Sequence, residues 1–131
     1  MTDPSADVSA QVPATADFVH VLRSVAAGVA SRLDMPIDQI EELRLAVTEG
    51  ATLLLDEARS TVLRMSLRRD AQTLEVVLSS DGVTDPWPSD RALASWPWVV
   101  LRGLTDEVRL DRDGGGSLAV AFMKRSEREV P

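Results

Sequence analysis

Hydrophobic and polar positions along this chain follow two periods, and the switch between them predicts the elements. Val8, Ala10 and Val12 are separated by Ser9 and Gln11, a period of two that predicts a short strand ending at Pro13. Leu63, Met65 and Leu67 alternate with Arg64, Ser66 and Arg68. After a turn near Asp70, Leu74, Val76 and Leu78 alternate with Glu75, Val77 and Ser79. Two last strands, Glu107 to Arg112 and Ser117 to Lys124, flank a hairpin turn at Gly114 to Gly116. Elsewhere the period is 3.6. Thr15 can cap a helix carrying Phe18, Leu22, Val25, Val29 and Leu33. A second helix, from Pro36–Asp38 to about Glu57, has an inward stripe of Ile40, Leu43, Val47, Gly50 and Leu54. Its first turn is acidic (Asp38, Glu41, Glu42), which suits the helix dipole. After a loop rich in Pro and Asp (Asp81 to Asp90), a third helix begins near Trp96 and carries Trp98, Leu101 and Leu104.

The order is therefore βααββαββ. Strands that each bury one side are covered most economically by helices on one face of a mostly antiparallel sheet, so the expected fold class is an α/β (α+β) two-layer sandwich. Residues 8–125 are read as a single domain, 1–7 as a disordered polar leader and 126–131 as a loose tail. At 131 residues such a domain buries roughly two thirds of its unfolded surface, enough to fold without staples.

Composition removes whole classes of chemistry. There is no cysteine, so disulfides, thiolate metal sites and cysteine nucleophiles are excluded. A single histidine, His20, leaves no His-based metal site and no Ser-His-Asp triad, and it reads as a surface or interface residue. The net charge of −7 repels nucleic acid and anionic lipid, so neither is an expected partner. No basic-then-apolar leader and no long apolar run is present, and the expectation is a soluble, cytoplasmic protein. Arg64, Arg68 and Arg69 form a possible basic stripe on the open sheet face, with Glu75 placed to pair across strands as the plainer reading.

Glu42-Leu-Arg-Leu-Ala-Val-Thr-Glu49-Gly, then strands, an Asp81-Gly82 loop and Leu101-Arg-Gly-Leu-Thr-Asp-Glu-Val108, follow in order. From about Val8 to Lys124 this arrangement resembles the anti-sigma factor kinases of the GHKL ATPase superfamily, which have the Bergerat fold. The likeness is closest to an actinobacterial anti-sigma branch with eroded nucleotide boxes.

The resemblance also says what should stand where. In active members a Glu on the second helix orients the attacking hydroxyl, and an Asn four residues on ligates magnesium; here Glu49 matches, but Leu53 has no lone pair for a hard cation. The loop after the third strand should read Asp-x-Gly-x-Gly, the Asp reading adenine. This chain has Ser80-Asp81-Gly82-Val83-Thr84, with Asp81 one position late and on the opposite side of a strand. The second glycine box is replaced by Ser95-Trp96-Pro97-Trp98, and Pro97 has no N–H for phosphate. Positions Leu53, Ser80, Gly82, Thr84, Ser95 and Pro97 are thus a degenerate cofactor site, and Glu49 is a catalytic remnant. No cofactor and no metal are expected; ATP and magnesium enter only if the chain is an active kinase.

The function implied by the resemblance is an anti-sigma factor, a pseudokinase that sequesters an alternative sigma factor in stress-response partner switching. An anti-anti-sigma antagonist releases it, and it forms a homodimer through the first strand and helix. One alternative is an active ATP-dependent serine kinase of the antagonist; another is a non-catalytic scaffold in a different signalling pathway. Trp98 reads as core. Trp87 and Trp96 beside prolines either plug the old pocket, the favoured reading, with Trp96 against Leu53, or face a partner. Candidate partner-binding residues are His20, Arg23, Trp87 and Trp96.

Overall fold

The computed structural model describes residues 5–57, 60–82, 86–112 and 116–127. The elements are β1 (Val8–Pro13), α1 (Ala16–Arg32), α2 (Ile37–Glu57), β2 (Val62–Asp70), β3 (Thr73–Ser80), α3 (Asp90–Leu93), α4 (Trp96–Leu104), β4 (Glu107–Arg112) and β5 (Leu118–Arg125). The predicted order is present with one addition, the single turn α3, too short to leave a periodic signal. The five strands form one antiparallel sheet in the order β1-β2-β3-β5-β4. No helix of the described residues is long and apolar enough to cross a membrane.

Register explains the core. Val12, Leu63 and Ser80 lie in one row, Ala10, Met65, Leu78, Val120 and Leu110 in the next, and Val8, Leu67, Val76, Phe122 and Val108 in a third. The central members of these rows are buried under α2 and its neighbours. Glycine at position 50 permits a close approach: a Cβ there would come within 2.7 Å of Leu78 Cδ1 and 3.4 Å of Val120 Cγ1, so the buried Leu78 side chain would have to shift. The helix therefore rests directly on the centre of the sheet.

The first helix is rotated from the expected face. Phe18 is 42% exposed, and Val19, Leu22, Ala26 and Ala30 point inward, with Val25, Val29 and Leu33 at the margin. Small alanines allow α1 to approach closely, and packing outweighs the size of Phe18. The helix closes with a Schellman arrangement: Asp34, at φ 55°, donates to Ser31 O (3.2 Å) and Met35 N donates to Ala30 O (3.3 Å), while the Met35 side chain is buried.

Both ends of the domain are more firmly held than the sequence suggests. Asp7, assigned to the leader, donates its N–H to Leu67 O (2.9 Å) and accepts from Arg69 N (2.7 Å). Ser126 and Glu127, assigned to the tail, donate to Gln72 O (2.8 Å) and Gln39 Oε1 (2.7 Å), because the backbone of β5 runs on past its last strand residue. Gln39 is buried and its amide also donates to Arg125 O (2.8 Å). Lys124, buried beside them, donates to Glu42 Oε2 (2.8 Å) and to Leu104 O at the end of α4 (2.7 Å). The expectations for residues 1–4 and 128–131, and for Gly114 and Gly115, fall outside the described residues.

Candidate functional site

The candidate site is the region where the resemblance places nucleotide: the outer part of α2, the loop after β3 and the start of α4. Glu49 is half-exposed on α2 and has no hydrogen-bonding partner among the described residues. Partial burial raises its carboxyl above the ordinary value, since a charge there loses water without gaining a counter-ion. One turn on, Leu53 is 2% exposed and part of the core. The described residues contain no cluster of three His, Cys, Asp or Glu side chains able to hold a metal.

Ser80 and Asp81, where the chain leaves β3, are committed to the sheet. Ser80 lies in the inward row beside Leu63 and is fully buried, its Oγ without a partner among the described residues. Asp81 points outward, as alternation requires, and its carboxylate accepts from Thr61 N (2.8 Å), Val62 N (3.0 Å) and the Thr61 hydroxyl. These bonds, the Thr61 side chain first, hold its carboxyl below the ordinary value. The carboxylate that stands one position late is thus engaged within the fold: its oxygens fasten the start of β2. Gly82 is buried, and Thr84 lies outside the described residues.

At α4, Ser95 is the N-cap. Its Oγ accepts from Trp98 N at 3.4 Å and donates to Ala92 O (2.7 Å), while Val99 N donates to Ser95 O (3.3 Å). With Pro97 lacking an N–H, the donors a phosphate would need are largely used or absent.

The two tryptophans, which shared one expectation, have different environments. Trp96 is 73% exposed and packs against nothing near Leu53. A first-turn residue after the Ser95 cap faces outward, and Trp98 and Leu101 take the inward positions. Trp87 is 8% exposed, joins the core and donates its indole N–H to Asp111 O (3.0 Å), so it is unsuited to direct partner contact. The cap at Ser95 was the signal in the sequence that would have separated the two.

His20 and Arg23 lie one turn apart on α1, with Arg23 Nη1 3.4 Å from His20 Nδ1, and line a small cleft of about 120 Å³ with Thr48 and Thr52 of α2. Arg23 Nε is buried there without an acceptor among the described residues. A larger open groove of about 410 Å³ lies on the other side of α1. Neither concavity is lined by a residue of the nucleotide boxes. Sequence reasoning missed Ser89, which caps α3 by accepting from Ala92 N (3.0 Å) and ties that loop to α2 by donating to Glu57 Oε1 (2.8 Å).

This two-layer sandwich, with Glu49 on its second helix, is of an ATPase-like class by comparison with known proteins. Residues 12–123 match the histidine kinase-like ATPase domain family, and the chain belongs to that family. Among its relatives is the serine-protein kinase RsbW of Halalkalibacterium halodurans, 30% identical over 88% of this chain and 83% of that protein. RsbW of Bacillus subtilis is 31% identical over 92% of this chain and 88% of its own length. The crystal structure of the RsbU and RsbW domains of Rv1364c from Mycobacterium tuberculosis superimposes with a TM-score of 0.65 at 14% identity, over 94% of this chain. This chain spans about a third (34%) of that longer protein, and the likeness is one of fold.

Proposed function

We propose that this protein is an anti-sigma factor that works by partner switching without a nucleotide cycle. It binds an alternative sigma factor, and an anti-anti-sigma antagonist competes it away. The observation that carries this reading is the joint loss of three groups in a fold otherwise kept: a buried leucine at the magnesium position, Asp81 engaged by the backbone of β2, and a self-capped α4 with proline in its first turn. These residues do not make the donor set that magnesium and a triphosphate require. The net charge of −7 favours fast association with a DNA-binding protein of basic surface.

An active serine kinase is the competing reading, favoured by Glu49, whose raised carboxyl is of the kind a general base uses. Thermal unfolding with millimolar Mg-ATP separates the two. A ligand at a hundred times its dissociation constant stabilises by about 2.7 kcal/mol. The proposal expects no shift and no transfer of labelled phosphate to the antagonist; a clear shift that needs both ATP and magnesium overturns it.

The active unit in this proposal is a homodimer. β1 is a free edge with no charged residue, and α1 presents Phe18, Val21, Val25 and Val29 along its side, the last two continuing with Val8 into the open groove. Asp17 and Arg32 stand at opposite ends of α1, roughly 22 Å apart by helical rise, so a two-fold axis would bring each to its opposite in the partner. Light scattering of Ala10→Pro and Phe18→Glu variants tests this, with a monomer as the expected result.

A further inference from the structure

The α3–α4 segment carries a surface that the nucleotide boxes do not explain. Trp96 (73% exposed) and Val99 (52%) lie one turn apart on the outward side of α4, and Leu93, at the end of α3, is also exposed. Gly103 extends the same side by another turn with open space where a Cβ would sit. Apolar exposure thus falls from an indole to nothing along a single helix face. From Asp90 to Leu104 there are two arginines and one acid, Asp90, a net positive stretch in a chain whose net charge is −7. Arg91 and Arg102 are exposed, and the Arg102 guanidinium lies 5.9 Å from the centre of the Trp98 ring.

Exposed Trp and Arg together are the composition of interface anchors, and a convex indole needs a concave receiver. The arginines repel a basic surface and select carboxylates. We propose that this face docks the antagonist, through an apolar pocket on that protein rimmed by Asp or Glu, and that the DNA-binding sigma factor, with its basic surface, does not anchor on these side chains, the two partners excluding each other by overlap beyond this face. The assignment rests on the partner-switching reading above. It requires that an anchor has been built on the helix start where the family's phosphate-binding glycines would stand. A lipid surface is the less favoured occupant, since the net negative charge opposes anionic membranes.

The test uses the full chain with the sigma factor and antagonist recovered from the native host, identified by mass spectrometry and purified. Titration calorimetry compares the wild type with Trp96→Ala and with the double variant Arg91→Glu/Arg102→Glu. Trp96→Ala is expected to weaken antagonist binding by at least about thirtyfold, and the charge reversal by about tenfold or more. Sigma binding should stay within about twofold, and melting temperatures should hold because the altered side chains are exposed. Weakened sigma binding with the antagonist unaffected overturns the assignment, as does no effect on either. Loss of self-association by light scattering, or of sedimentation with phosphatidylglycerol vesicles, in place of antagonist loss would hand the face to a second copy or to a membrane. A wild-type protein that binds neither partner refutes the partner-switching function itself, an outcome separate from intact binding by the variants.

Discussion

Replacing Leu53 by asparagine would restore the amide that the family's active kinases present to magnesium, and it asks whether a polar site still exists at this turn of α2. Leu53 is 2% exposed and lies in the core cluster. Losing a fully buried leucine side chain costs about 1.5–3 kcal/mol of apolar burial. An amide left in its place without partners adds roughly 1–3 kcal/mol. The sum, about 2.5–6 kcal/mol, is a large part of the 5–15 kcal/mol that holds a typical domain together. For a chain of this length the melting temperature should fall on the order of 10–20 °C. Leu53→Ala is the internal standard, because it removes a similar apolar area, leaves a cavity and introduces no amide. Thermal and urea unfolding of both variants, with and without Mg-ATP, decide the matter. The asparagine variant should be no more stable than the alanine variant, and Mg-ATP should rescue neither. An asparagine variant close to wild type in stability would mean that the side chain finds water or a ligand there, and the closed-site argument would fail.

Three further outcomes follow from the same geometry. Glu49→Gln should raise the melting temperature at pH 7, since a carboxyl whose folded pKa is raised costs stability when charged; the difference should close as pH falls below its unfolded value near 4.5, and a constant difference across pH 3–7 would refute the cause. Asp81→Asn should lower stability at pH 7, and the gap should narrow in acid as the wild-type carboxylate is protonated below 3.8, because a lowered folded pKa stabilises only above that range. Gln39→Leu should cost about 1–3 kcal/mol by orphaning Arg125 O and Glu127 N, with faster hydrogen exchange at Glu127; unchanged exchange would show that the amide does not hold the end of β5.

The strands were legible because their alternation is strict: Leu63, Met65 and Leu67, and Leu74, Val76 and Leu78, are all buried. The helices were legible in extent and less so in rotation. A period built on large side chains gave weight to Phe18 and Ile40, whereas the packed faces rely on Ala26, Ala30, Ala46 and Ala51, which carry little hydropathy and permit close approach. Gln39 was invisible to any pattern, since its burial is set by backbone groups 86 and 88 positions away in the chain. At the site, residue identity exposed the missing magnesium ligand and the missing phosphate donors. It did not reveal that Asp81 is spent on Thr61 and Val62, because that depends on where β2 begins relative to β3. Trp87 and Trp96, equally flanked by proline, were separated by tertiary structure: one meets the carbonyl of Asp111, the other follows a helix cap.

The two edges of the sheet differ in a way that governs how many copies strand addition can join. β4, the other edge, carries Glu107, Arg109 and Asp111 on the face away from the helices and Arg112 at its end, and such charges resist a further strand. β1 has none. A sheet with one permissive edge and one guarded edge extends once, by pairing like with like about a two-fold axis, and then has no permissive edge left. In the proposed homodimer, strand addition would therefore stop at two copies: filament growth would first require neutralising β4, and substitutions such as Arg109→Val and Asp111→Thr define the route by which a self-terminating assembly would become an open-ended one.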